Sequence, residues 1–189
     1  MTKAFPPVTG TPARLPLDNV DTDQLIPARF MSRPRAEGYG RFLLHDLKAD
    51  TPAADLPQGA RILIAGRNFG SGSSREAAVY ALVDFGIRAV LAPSFGDIFA
   101  GNAVNNGLLP ARVEADALAA IEGEVTVDLQ TCTIRHAGGE TPFQVDPVWR
   151  EKLLNGWDDI DLTASRAGEI AAYKARRLSD APWSLPGKD

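Results

Sequence analysis

Residues 61–92 read RILIAGRNFGSGSSREAAVYALVDFGIRAVLA, and this stretch decides the fold class. Residues 61–65 form a short apolar run bounded by turn residues, which is typical of a buried strand. Residues 75–85 carry apolar side chains at helical spacing, and Gly86 after them is a common helix terminator. Residues 87–92 are a second candidate for a buried strand. A strand, a loop, a helix and a strand within about 30 residues predict a βαβ unit in a parallel sheet.

The flanking sequence extends this unit into a mixed α/β chain. Upstream we expect a short strand at 11–17, polar loops at 18–24 and 32–41, and a short helix at 42–48. Downstream, the predicted helices are 94–106, 114–121, 147–155 and 164–178, and the predicted strands are 124–129, 132–136 and 141–145, with Gly138-Gly139 as the turn between the last two. We expect one domain over residues 1–189, with a C-terminal helical extension and a tail that contains Pro182, Trp183 and Pro186.

The counts of the rare residue types are more informative about function than the overall composition. With 189 residues, 44% of them apolar, and a net charge of −4, the chain resembles an ordinary globular domain. Cys132 is the single cysteine, and His45 and His136 are the only histidines. One cysteine cannot form an internal disulfide, a four-cysteine zinc site or an iron–sulfur cluster. We therefore assign no metal ligand to this chain.

Charge and hydropathy exclude further classes of partner. A mildly acidic chain is a poor general binder of nucleic acid. No apolar run approaches the roughly 20 residues that span a bilayer. The first residues, MTKAFPP, lack the apolar core of a secretory signal. We expect a cytoplasmic protein without membrane or nucleic-acid partners.

The glycine- and serine-rich loop at 66–74 is the main candidate for chemistry. Ser73 and Glu76 have the spacing of a capping box, and a helix N-terminus can hold an anion. Arg75 adds a guanidinium suited to a carboxylate or a phosphate. From local spacing alone, two interpretations stay open: Ser73 only caps the helix, or the loop binds an anion beside a reactive serine.

Nucleotide binding fits this loop poorly. A P-loop needs a lysine after its glycines, and none is present here. The dinucleotide pattern G-x-G-x-x-G begins at Gly70 and Gly72, but Arg75 replaces the third glycine, which close helix packing requires. A non-catalytic module that binds anions or nucleotides remains an alternative that rests on the glycines alone.

Three segments together are more specific than any one of them. They are Asn19-Val-Asp-Thr-Asp-Gln-Leu-Ile-Pro-Ala28, Asn68-Phe-Gly-Ser-Gly-Ser-Ser-Arg-Glu76 and Ala92-Pro-Ser-Phe-Gly-Asp-Ile-Phe-Ala-Gly-Asn102. In this order the chain resembles the small subunits of 3-isopropylmalate dehydratases (isopropylmalate isomerases), a family similar to the mobile C-terminal domain of aconitase. The resemblance implies an α/β fold, a swivelling domain with three β/β/α layers and a mixed sheet.

The resemblance also implies a partner and a reaction. The partner is a large subunit that carries a [4Fe–4S] cluster, and the substrate is a small dicarboxylate. The reaction is a hydro-lyase isomerisation in leucine biosynthesis, in which 2-isopropylmalate loses water to give isopropylmaleate and regains it as 3-isopropylmalate. Without the large subunit the chain is expected to be inactive.

Site residues follow from the matched motifs. The resemblance implies that Ser73 is the base, acting as an alkoxide, and that Ser74 and Arg75 bind a substrate carboxylate. Asp23 matches an acid of the family's active site; otherwise it is a turn or cap residue. Arg29 is our choice from residues 29–41, where four arginines face one acid for a net charge of +3. This window helps to select the substrate in the family, and it is otherwise a solvated surface loop.

One position departs from the family pattern. The motif usually continues as S-S-R-E-H-A, whereas this chain has Ala77 in place of the histidine. Because the missing residue falls on the helix after the loop, the loop chemistry can be retained. The change favours a second interpretation, in which the chain serves a paralogous hydratase that acts on citraconate or dimethylmalate.

Overall fold

A computed structural model describes residues 4–184 and places the βαβ unit in a parallel sheet. The strands β2 (Ala13–Leu15), β3 (Ile62–Ala65), β4 (Ala89–Ala92) and β5 (Leu109–Arg112) lie side by side in that order, all parallel. Helix α3 (Glu76–Phe85) connects β3 to β4. Every residue of β3 and β4 is buried, as expected for central strands that are covered on both faces.

A second sheet is antiparallel and covers one face of the first. It contains β1 (Val8–Gly10), β6 (Val125–Asp128), β7 (Thr133–His136) and β8 (Gly139–Pro142), in the order β1-β6-β7-β8. Strand β3 shows how the layers form, because side chains alternate across a strand. Ile62 and Ile64 pack between the two sheets with Val127 and Ile134, whereas Leu63 and Ala65 point to the other face.

Helices form the third layer. The side chains of Leu63 and Ala65 pack there with Val79, Leu82 and Phe99 from the helices. Besides α3, the helices are α1 (Thr22–Leu25), α2 (Leu47–Asp50), α4 (Asp97–Asn105), α5 (Ala115–Ala120), α6 (Pro147–Asn155), α7 (Asp159–Ser165) and α8 (Ala167–Asp180). Short 3-10 turns cover Ala28–Phe30, Arg35–Glu37, Gly40–Phe42, Pro52–Ala54 and Pro182–Ser184. The predicted α/β class with three β/β/α layers is confirmed.

The strand predicted at 11–17 was wrong in extent. Pro12, which cannot donate a backbone hydrogen bond, separates two strands that enter different sheets. Val8 pairs with Val127 of the antiparallel sheet, and Ala13 pairs with Leu63 of the parallel sheet. The N-terminal segment therefore links the two sheets.

The sequence did not predict β5, and it misplaced β8. No element was predicted between residues 107 and 113; β5 contains Pro110 and lies at the edge of its sheet, where proline is tolerated. Strand β8 ends at Pro142 instead of running from 141 to 145, because Gln144 crosses over and pairs with Arg112 of β5. The hairpin turn falls at 137–138, one residue earlier than predicted.

Helix boundaries were corrected at three places. The helix expected at 42–48 is displaced to α2, with which it shares only residues 47 and 48, and part of the loop expected at 18–24 forms α1. The helix expected at 164–178 is two helices, α7 and α8, and the Asp158 side chain caps the first of them at Ile160 and Asp161. Trp183 of the tail is exposed, whereas Pro186 lies outside the described residues.

A buried lysine fastens the C-terminal helices to the body. The Lys152 ammonium on α6, only 4% exposed, lies 2.5 Å from the Asn105 Oδ1 atom of α4 and 2.5 Å from the Asp159 carboxylate of α7. The Asp159 side chain is 73% exposed. The hydrogen bond from Lys152 holds the pKa of Asp159 below its usual value.

The Lys152–Asp159 ion pair predicts that loss of one partner destabilises the protein more than loss of the other. We expect Asp159→Asn to lower the free energy of unfolding by about 2 kcal/mol, because it leaves a buried charge short of its partner. Lys152→Met should cost less, because water can solvate the exposed carboxylate that remains. Since the pKa of Asp159 is lowered by folding, its contribution is present above about pH 4 and is lost as the pH falls below that value. Urea unfolding at pH 7 and at pH 3 measures both effects, and equal losses for the two variants at pH 7 would contradict the asymmetry.

Candidate active site

The three sequence segments that suggested the family meet at one edge of the parallel sheet. They follow the carboxyl ends of β2, β3 and β4, where ligands bind in open α/β sheets. The Asn19 and Gly70 amides donate to the Arg67 carbonyl (2.8 Å) and to the Val20 carbonyl (2.7 Å). The Asn68 side-chain amide also donates to the Asn19 side chain at 2.9 Å. The first segment is thus tied to the glycine–serine loop.

The third segment supports the same loop from the other side. The Phe69 amide donates to the Ser94 carbonyl at 3.0 Å, and the Gly96 amide donates to the Phe69 carbonyl at 2.9 Å. Gly70 has a φ of +74°, and a Cβ atom there would lie 2.2 Å from the ring of Phe99. Glycine is therefore required at position 70 by both backbone conformation and space.

Helix α1 begins with a capping box that was not predicted from the sequence. The Gln24 amide donates to the Asp21 carboxylate at 2.8 Å, and the Gln24 side chain accepts from the Asp21 amide at 2.9 Å. The spacing D-x-x-Q was the available signal. Because of this cap, Thr22 and Asp23 lie on a rigid turn beside the glycine–serine loop.

The capping box expected at Ser73 and Glu76 was wrong. Helix α3 has Arg75 as its N-cap residue, and no side chain caps it. Ser73 and Ser74 are exposed. Within residues 4–184, the Ser73 hydroxyl makes no hydrogen bond, so capping does not explain this serine. The uncapped amides at the start of α3 remain suited to an anion.

Asp23 and Arg75 form an ion pair between α1 and the start of α3. The Arg75 guanidinium donates to the Asp23 carboxylate, and Arg75 is the more buried partner. A guanidinium has five N–H donors, so others remain available for a ligand. Since Asp21 provides the cap, the alternative of Asp23 as a cap residue is wrong. The structure therefore brings Asp23, Ser73, Ser74 and Arg75 together.

Arg29 is not joined to this group. Its guanidinium donates two hydrogen bonds to the Asp46 carboxylate, one of them 2.7 Å long, and it stacks over the ring of Phe30. These hydrogen bonds hold the pKa of Asp46 well below its usual range. In the part of the chain that the structure describes, Arg29 makes no hydrogen bond or ion pair with Asp23 or Arg75.

The rest of the basic window is also paired. Arg35 binds Asp84 of α3 and stacks over Tyr80, while Arg41 and Arg33 both lie near Glu37. Asp46 and Asp84 come from outside residues 29–41, so the local count of charge in the sequence could not include them. The window is a network of ion pairs and not a set of free cations.

Other candidate groups lie elsewhere. Cys132 is partly buried and packs against the core between the sheets, and the His136 ring bonds the hydroxyl of Thr141. Among residues 4–184, no three histidine, cysteine or acidic side chains are grouped closely enough to hold a metal ion. No helix in that range is long and apolar enough to cross a membrane.

Known proteins share both the sequence and the fold. Residues 51–116 match the family model of the aconitase C-terminal domain. The 3-isopropylmalate dehydratase small subunit of Rhodospirillum centenum is 46% identical, over 96% of this chain and 98% of that protein. The protein of the same name from Shouchella clausii is 45% identical, over 84% of this chain and 89% of its own length.

A solved structure adds an independent comparison. The crystal structure of a 3-isopropylmalate dehydratase chain from Methanocaldococcus jannaschii superposes with a TM-score of 0.70 at 29% identity, covering 89% of this chain and 99% of that one. Identity above 40% over nearly the full length, together with the shared fold, leaves no ambiguity of family. The chain belongs to the family of 3-isopropylmalate dehydratase small subunits.

Proposed function

We propose that this chain is the small subunit of a 3-isopropylmalate dehydratase and that it supplies the base and the carboxylate-binding groups of a divided active site. The observation that carries the proposal is the grouping of exposed Ser73 and Ser74 with the Asp23–Arg75 ion pair, in a chain 46% identical to a protein of that name. The reaction is the conversion of 2-isopropylmalate to 3-isopropylmalate through isopropylmaleate, in leucine biosynthesis. The chain works in the cytoplasm.

Ser73 is the base in this proposal. The reaction removes a proton from the carbon next to a carboxylate and later returns it to the neighbouring carbon. A serine oxygen can accept this proton only if its anion is stabilised, and each unit by which the pKa falls requires about 1.4 kcal/mol of interaction. In this proposal the stabilisation comes from the uncapped amides at the start of α3, which begins three residues after Ser73, and from the guanidinium of Arg75.

Arg75 and Ser74 bind a substrate carboxylate in this proposal. One terminal nitrogen of the Arg75 guanidinium donates to the Asp23 carboxylate, which restrains the side chain and leaves its other N–H donors for a ligand. Ser74 offers a hydroxyl one residue away. Preset donors of this kind bind a carboxylate without the entropic cost of ordering a free side chain.

The large subunit completes the site. Its [4Fe–4S] cluster supplies the Lewis acid that loss of hydroxide requires. Exposure of Ser73 and Ser74 fits an arrangement in which a second polypeptide covers them. Arg29, held by Asp46, contributes to substrate selection only if that ion pair rearranges in the complex.

Ala77 favours a second candidate substrate class. It lies on the first turn of α3 and packs against the core cluster on the helical side of the parallel sheet. A paralogous hydratase for citraconate or dimethylmalate would use the same base and the same carboxylate clamp. Turnover of 2-isopropylmalate, citraconate and 2,3-dimethylmalate by the chain with its cognate large subunit separates the two. We expect 2-isopropylmalate to have the highest kcat/KM, and a preference for either of the others would overturn the assignment.

Arg75→Lys tests the carboxylate clamp. Lysine keeps the charge but loses the planar fork that can hold Asp23 and a substrate carboxylate at once. We expect KM for 2-isopropylmalate to rise about tenfold or more, with a smaller change in kcat, as for a group that binds substrate and transition state alike. Steady-state kinetics of the two-subunit enzyme measure the split. Arg61→Lys, on the segment before β3, is the control, and an unchanged KM in Arg75→Lys would remove Arg75 from the clamp.

A further inference from the structure

Thr22 is a buried polar residue that the proposed mechanism does not yet use. Its exposed fraction is 1%, and the other buried polar or charged residues within residues 4–184 are Lys152 at 3% and Thr141 at 7%. A buried hydroxyl needs a hydrogen-bond partner, because its desolvation is costly otherwise. The partner of Thr22 is the main chain of the glycine–serine loop.

Thr22 makes hydrogen bonds to the main chain of the loop that carries the proposed base. Its amide donates to the Ser71 carbonyl at 3.0 Å, and its hydroxyl donates to the Ser73 carbonyl at 3.1 Å. The next residue, Asp23, binds the guanidinium of Arg75. Two consecutive residues of α1 thus contact positions 71, 73 and 75 of the loop.

The Ser73 carbonyl has both of its acceptor positions filled. It accepts from the Arg75 amide at 2.8 Å as well as from Thr22. The bond from Arg75 closes a three-residue γ-turn centred on Ser74. Two hydrogen bonds to the Ser73 carbonyl restrict rotation of the peptide group between Ser73 and Ser74. The capping box of α1 in turn holds Thr22 in place.

We propose that Thr22 is a positioning residue, whose hydroxyl holds the Ser73–Arg75 turn in the geometry that proton transfer requires. The inference rests on the proposed function, in which Ser73 is the base. A misplacement of about 1 Å in a reacting group can cost about 100-fold in rate. Because the hydroxyl is buried and bonded to the Ser73 carbonyl, we expect its loss to affect the rate of chemistry more than substrate binding.

The test compares Thr22→Val with Thr22→Ser in the enzyme reassembled with its large subunit. Valine keeps the shape and removes the hydroxyl, whereas serine keeps the hydroxyl and removes the methyl group. We expect Thr22→Val to lower kcat about 10- to 100-fold with KM changed less than about threefold, and Thr22→Ser to stay near the wild-type kcat. Thr141→Val is the matched control, because it removes another buried hydroxyl, one that binds His136 in the antiparallel sheet.

The outcomes separate this inference from the proposed function. If the wild-type enzyme and Thr22→Val convert 2-isopropylmalate with the same kcat, the positioning role is overturned and the proposed function stands. If Thr22→Ser loses turnover as fully as Thr22→Val, the hydroxyl is not the determinant and the inference is also overturned. If Thr22→Val does not fold, Thr22→Ala replaces it, and the same difference from Thr22→Ser is required. If the wild type is inactive with a competent large subunit, the proposed function fails first.

Discussion

Ser73→Ala is expected to reduce turnover of the two-subunit enzyme by about 10³-fold or more, while the two subunits still associate. The hydroxyl is exposed and makes no hydrogen bond within residues 4–184, so its removal costs the fold little. In the proposed reaction, however, it accepts and returns the proton, and general acid–base groups contribute about 10²- to 10⁴-fold. Steady-state turnover of 2-isopropylmalate, together with gel filtration of the mixed subunits, measures both properties.

Ser165→Ala is the matched control for this variant. It removes a hydroxyl that binds only the Leu162 carbonyl on α7, far along the chain from the loop. We expect it to have wild-type activity. Full activity of Ser73→Ala would instead show that the serine has no chemical role, and the base would then have to be sought on the large subunit.

Gly70→Ala should have the largest effect on stability. Its φ of +74° costs an L-residue about 1–2 kcal/mol, and the new Cβ atom would overlap the ring of Phe99, which is 3% exposed and cannot move into solvent. Overpacking of a core adds about 1–3 kcal/mol. We expect the free energy of unfolding to fall by about 4 kcal/mol, measured by urea denaturation.

Gly101→Ala controls for the loss of a glycine as such. Gly101 lies inside α4, and a Cβ atom there would meet no heavy atom within 4 Å other than the adjacent backbone of its own helix. Because alanine has the higher helix propensity, this variant should be more stable than the wild type by up to about 1 kcal/mol. A loss smaller than 1 kcal/mol in Gly70→Ala would mean that the loop can move off Phe99, and the account of a rigid loop would be wrong.

Most of the parallel sheet could be predicted because its strands are short apolar runs between turn residues. The same logic missed β5, since Pro110 is acceptable only at a sheet edge, and the sequence does not reveal which strand is at the edge. It also missed β1, because the strand predicted at 11–17 begins after Gly10, and nothing in the sequence shows that residues 8–10 join a second sheet. The sheet that a strand joins, and its position in that sheet, depend on pairing partners that are distant in the sequence.

Part of the candidate site could be predicted, and its internal contacts could not. The motifs grouped Asp23, Ser73, Ser74 and Arg75 in one site, and the structure places all four at one edge of the parallel sheet, whereas their chemical roles remain predictions. The role of the S-x-x-E spacing was misread, because the chain enters α3 at Arg75 and the functional capping box lies at Asp21 and Gln24. The net charge of +3 counted over residues 29–41 overestimated the free positive charge there. Asp46 and Asp84, which lie outside this window, pair with Arg29 and Arg35.

The division of the active site between two chains is the central claim, and one reconstitution assay tests it most directly. This chain, its cognate large subunit with the cluster intact, and their mixture are each supplied with 2-isopropylmalate, and the absorbance of isopropylmaleate is followed. We predict no turnover by either subunit alone and sustained turnover by the mixture. Turnover by the large subunit alone at the rate of the mixture, or none by the mixture, would contradict the claim.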